Sequence, residues 1–120
     1  MHKRTDTYSS NIIDIFKSIG FSVFSTSDTG RGFPDYVIAR NGLNLLVEIK
    51  TTNNNKPSFT NEQKVFYDYW TGCYLIAIYN KKNNKITIIF KNYTCIYKDF
   101  VLLLSSINNV EVLNENNNRV

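Results

Sequence analysis

The sequence predicts an α/β protein in which helices flank a mixed sheet. Apolar residues recur at helical spacing in some stretches and at strand spacing in others, in the order α-β-β-β-α-β, then β-α-β. Asn41-Gly42 lies between two apolar runs, which is the strongest short hairpin signal. Thr60 is followed three residues later by Gln63, a capping-box pattern that opens a helix. At 120 residues the chain suits one domain, here expected over 1–113, with a polar tail at 114–120.

The first helix is expected from about Asp6 to Ile19. Ile12, Ile13, Phe16 and Ile19 share one face, and Gly20 supplies the stop. Phe21 to Phe24 reads as a short strand, and Thr26 to Gly32 as a loop with two glycines. Asp35 to Arg40 and Leu43 to Lys50 read as the arms of the hairpin. Asn53-Asn54-Asn55, with Lys56 and Pro57, reads as a loop. The second helix runs from Thr60 to about Trp70 and is followed by Gly72. Tyr74 to Tyr79 and Ile86 to Phe90 are strands around a Lys/Asn turn. A last helix is expected over Lys98 to Ile107 and a last short strand over Val110 to Leu113.

Composition excludes several classes. With 42% hydrophobic and 20% charged residues the chain is too apolar for a wholly disordered one. No apolar run approaches the roughly 18 residues of a membrane span, and the first residues are polar and unlike a secretion signal. Cys73 and Cys95 lack metal-knuckle spacing, and the expectation is two free, buried thiols in a cytoplasmic protein, host cytoplasm if the chain is phage-encoded. His2 is the single histidine and sits at the terminus, which argues against Ser-His-Asp and Cys-His catalysis. No glycine loop runs into Lys-Ser/Thr, so there is no P-loop. A net charge of +4 favours a polyanionic partner without proving one.

The hairpin carries the chemistry. A turn centred on Asn41-Gly42 pairs Arg40 with Leu43 and, counting back along both arms, Asp35 with Glu48. Directly opposed residues share a face, with Cβ atoms about 4.5–5.5 Å apart. Like charges placed so destabilise a sheet unless a proton, a basic group or a metal offsets them. Lys50, two residues past Glu48, lies on the same face about 6.6 Å along the strand, while Leu45, Val47 and Ile49 occupy the other. Two carboxylates beside an ammonium suit a hard divalent cation such as Mg²⁺. The alternative is a solvated hairpin face whose Glu–Lys contact contributes little.

Gly32-Phe33-Pro34-Asp35 followed by Val47-Glu48-Ile49-Lys50 resembles the PD-(D/E)xK nuclease superfamily. The chain looks most like small phage and bacterial VRR-type nucleases and archaeal Holliday-junction resolvases. The similarity runs from Arg4-Thr5-Asp6 to about Ile78. It includes Ile19-Gly20-Phe21, Gly30-Arg31 and Phe59-Thr60-Asn61-Glu62-Gln63 with Phe66 and Trp70. The resemblance implies a restriction-endonuclease-like core, αβββαβ, here with a C-terminal β-α extension. It implies Mg²⁺- or Mn²⁺-dependent hydrolysis of nucleic-acid phosphodiesters, with DNA, branched or junction DNA included, as the expected partner. It implies Asp35 and Glu48 as metal ligands joined by the Ile49 carbonyl, Lys50 as the catalytic lysine, and Gln63 as the glutamine that follows. A junction resolvase needs two active sites, hence an expected homodimer.

Gln63 also stands on its own argument: Gln63, Phe66, Tyr67 and Trp70 share a helix face. The competing role is the capping box alone. Relatives often place Glu or Gln on the first helix facing the metal; here Ser9 takes that place, on the face of Ile12, Ile13 and Phe16. Ser9 is a poor Mg²⁺ ligand, and its expected role is to hold a metal-bound water. Arg31 is the expected phosphate contact of the glycine-containing loop, and Lys56 and Lys64 are expected to track a nucleic-acid backbone. Ser9 also motivates the alternative of a catalytically weak nucleic-acid-binding or regulatory subunit. A purely structural interaction domain would leave Asp35 opposite Glu48 without a role.

Overall fold

The computed structural model describes residues 7–54, 56–92 and 98–116. Arg4-Thr5-Asp6, Cys95 and the end of the tail lie outside the described residues. The element order is α1 (Thr7–Ser18), β1 (Ser22–Ser25), β2 (Tyr36–Arg40), β3 (Leu43–Thr52), α2 (Asn61–Tyr69), β4 (Tyr74–Asn80), β5 (Lys85–Lys91), α3 (Lys98–Ser105) and β6 (Val110–Asn114). The expected α/β order is therefore present, with β6 reaching one residue into the expected tail.

All six strands form one mixed sheet in the order β1-β2-β3-β4-β5-β6. β1, β2 and β3 are a meander. The hairpin turn places Asn41 at φ 51° and Gly42 at φ 83°, the pair of positive φ values that a two-residue turn of the favoured hand requires. The turn fixes the register, and Arg40 pairs with Leu43 and Tyr36 with Val47. β3 pairs parallel with β4 through α2, and β5 pairs parallel with β6 through α3, while β4 and β5 are antiparallel.

That topology dictates where the helices lie. Crossovers between parallel strands are right-handed. Both crossovers step the same way across the sheet, but β5 runs opposite to β4. The same hand therefore puts α2 and α3 on opposite faces. Ile12, Ile13 and Phe16 of α1 and Phe100, Val101 and Leu104 of α3 join Val47, Ile49, Leu75, Ile88 and Phe90 in one apolar core. Phe100 of α3 packs on Phe21, in the link between α1 and β1, and on Phe90 of β5, with ring centroids 4.7 and 5.7 Å away. α2 lies on the other face, where Phe66 and Tyr67 pack on Tyr74 at 6.2 and 5.2 Å.

Among the described residues no helix is long and apolar enough to cross a membrane. The expectation of free thiols is corrected: Cys73 is disulfide-bonded. Pairing of Tyr74 with Lys91 brings the exit of β5 beside Cys73, and Asn92 donates to the carbonyls of Thr71 and Gly72 at 2.8 and 2.7 Å. Sequence spacing does not show that antiparallel approach. The argument for a reducing compartment drawn from free cysteines does not survive it.

Candidate functional site

β3 divides its side chains between the two faces. Val47 and Ile49 enter the core, and Glu48 and Lys50 take the face that α2 borders. Glu48 is 2% exposed, an uncommon position for a carboxylate. Burying such a charge is costly unless polar partners surround it.

Gln63 supplies one of them. Its Nε2 donates to Glu48 Oε1 at 3.3 Å, and its Oε1 accepts from Lys50 Nζ at 2.8 Å. The same Oε1 accepts from the Thr60 amide at 2.9 Å, while the Gln63 amide donates to Thr60 Oγ1 at 3.1 Å, closing the capping box. The two roles weighed for Gln63 are thus filled together. An amide oxygen has two lone pairs, and here they serve the helix start and the lysine. Lys50 is also held over the Phe59 ring, 4.8 Å from its centroid.

Asp35 reaches the cluster from β2's side. The paired ladder ends at Tyr36–Val47, and Asp35 Oδ2 accepts from the Ile49 amide at 3.1 Å. A carboxylate thus replaces the next backbone acceptor. In a strand the N–H and C=O of one residue point to the same neighbour, so the Ile49 carbonyl faces Asp35's side as well. Thr26 fixes the approach to Asp35: its hydroxyl donates to the Pro34 carbonyl at 2.7 Å and its amide to the Asp35 carbonyl at 2.8 Å.

Tyr74 was not found from the sequence. It is buried beside the cluster, and its hydroxyl is pushed far above the ordinary tyrosine value by burial first, then by Glu48, Asp35 and Tyr67. The signal is the parallel register that sets Tyr74 against Leu46 and Ile76 against Glu48. Hydrophobic periodicity predicts both strands but not the offset between them.

The remaining expected residues spread out. Lys64 lines a cavity next to Gln63. Lys56 is exposed, its amide donating to Asn54 Oδ1 at 3.0 Å. Arg31, at φ 56°, borders a different hollow with Asn61, Glu62, Val65, Phe66 and Tyr69. Ser9 is half-buried on α1, whose inward residues pack on the Val47 and Ile49 face and not on the Glu48 and Lys50 face. Its neighbour Tyr8 packs a tilted ring on Tyr79, centroids 4.8 Å apart.

Among the described residues no group of three or more His, Cys, Asp or Glu side chains could hold a metal. The oxygen donors along this stretch of β3 are the Asp35 and Glu48 carboxylates and the Ile49 carbonyl. Magnesium is commonly held by one or two carboxylates with water and substrate phosphate completing the shell, so this donor set fits it. Compared with known proteins, the chain matches no family model and no curated sequence.

Proposed function

We propose that the chain is a Mg²⁺-dependent nuclease, with Mn²⁺ an alternative, that hydrolyses DNA phosphodiester bonds on a restriction-endonuclease-like core. The observation that carries the reading is the Gln63 amide spanning Lys50 and Glu48 while Asp35 bonds to the Ile49 amide. It supports the sequence resemblance because four side chains, one just before β2, two on β3 and one on α2, gather along the same stretch of β3. Asp35, Glu48 and the Ile49 carbonyl would hold the metal, which supplies a polarised water and charge neutralisation at phosphorus. Lys50 places an ammonium beside the phosphoryl oxygens as their charge builds. Gln63 holds Lys50 in place. Water forms a new P–O bond, another P–O bond breaks, and phosphate and hydroxyl ends result.

Junction, single-stranded and duplex DNA are incubated with the protein in Mg²⁺, Mn²⁺ or EDTA. Expected is cleavage that EDTA stops and Asp35→Asn abolishes while DNA binding persists. Sedimentation tests the homodimer that cutting a junction on two strands requires. A second reading, a nucleic-acid-binding subunit with weak catalysis, is favoured by the position of Ser9 on the far side of the sheet. Binding without cleavage in either metal would select it.

A further inference from the structure

A cavity of about 340 Å³ opens beside the cluster on the same face of the sheet. Its floor is Ile76 and Ile89, paired across β4 and β5, and Ile76 lies opposite Glu48 in the register. Phe59 and Tyr67 line it with half-buried rings, Lys50 lying over the first and Lys91 over the second, the buried Tyr74 completes the wall, and Gln63 is shared with the cluster. Lys64, Asp68 and Glu115 complete the lining with charge. Neither isoleucine is fully buried, although both strands are interior to the sheet.

We propose that this cavity receives an unpaired nucleobase adjoining the phosphate that Asp35, Glu48 and Lys50 address. The substrate class is then single-stranded or locally unpaired nucleic acid. The proposal rests on the nuclease reading for the identity of the neighbouring site.

Aromatic rings over an apolar floor suit a flat π-faced ligand, and stacking tolerates any base. Asp68 and Glu115 can accept from an exocyclic amine, and the Lys64 ammonium suits a flanking phosphate. Tyr67 keeps its proton as a donor, because burial first and then Glu115 and Asp68 raise its pKa. A base stacked inside a duplex cannot reach such a recess, so it must be unpaired or turned out.

The test uses a single-stranded oligonucleotide carrying one 2-aminopurine, in EDTA. Fluorescence should fall on binding as the base stacks. Ile89→Trp, which fills the cavity away from the cluster, should abolish the quench and weaken binding about tenfold. Phe59→Ala, on the loop before α2, should reduce both and keeps the test if Ile89→Trp does not fold. Unchanged fluorescence with the wild type, or an equal quench in both variants, overturns the proposal. The two readings fail separately. Quenching without cleavage in Mg²⁺ or Mn²⁺ overturns the nuclease and leaves the base pocket. EDTA-sensitive cleavage without quenching overturns the pocket and leaves the nuclease.

Discussion

The two faces of the sheet differ in what they bury. On one, α1 and α3 seal an apolar layer that includes Phe16, Ile38, Leu75, Phe90 and Phe100, all essentially without solvent contact. On the other, α2 covers the Tyr74 end and leaves Ile76 and Ile89 partly open beside a buried Glu48. A single strand serves both, since β3 alternates Val47 and Ile49 with Glu48 and Lys50. One face can therefore carry the stability while the other carries polar groups that a packed core would not tolerate.

Breaking the sealed face should have the largest effect. Phe16→Ala is expected to cost about 3–5 kcal/mol, read from urea unfolding, because the cavity it leaves cannot fill with solvent or collapse freely. Lys50→Ala, which removes a half-buried side chain from the open face, should shift the unfolding midpoint much less. Equal losses would erase the contrast between the faces.

Gly32→Ala comes next. Gly32 sits at φ 77°, and a Cβ there would enter the Glu62 carbonyl at the start of α2. About 2 kcal/mol or more is expected from the strain and the clash, with α2 displaced. Amide exchange across Asn61–Tyr69 should quicken; unchanged exchange would show that the loop does not brace the helix.

Thr60→Ala removes the side-chain acceptor for the Gln63 amide and should cost about 1 kcal/mol by thermal melting. Gln63→Leu should cost more than that, because it also strips polar partners from Lys50 and the buried Glu48.

The smallest effect is one of pH. Tyr74 holds its proton more tightly folded than unfolded, since its pKa is raised above the ordinary 10.0. Its contribution is full below pH 10 and is lost as pH climbs above it, because the unfolded chain ionises first. Urea midpoints from pH 8 to 11 should fall, and Tyr74→Phe should flatten the fall. An unchanged slope would place the linkage elsewhere.

Much of the frame was legible in the residues. Alternation in β3, the Asn41-Gly42 turn and the Thr60–Gln63 spacing are local signals, and each fixes geometry within a few residues. The turn alone set the β2–β3 register. What the sequence hid is non-local. Periodicity on α1 shows that Ser9 turns inward with Ile12 and Phe16, but not which face of the sheet the helix covers; crossover hand and strand direction decide that. The β3–β4 offset that brings Tyr74 to the acids depends on how α2 packs. The bond at Cys73 depends on β5 returning beside it.

One amide at position 63 begins a helix and bridges two oppositely charged side chains. An evolving sequence therefore has little room there. Glutamate could still close the helical turn but would set a second anion against the one already enclosed. Shorter or aliphatic replacements forfeit both jobs. A saturation library at this codon, sorted first for folding and then for the proposed DNA cleavage, should retain a few variants after the first sort and almost none after the second.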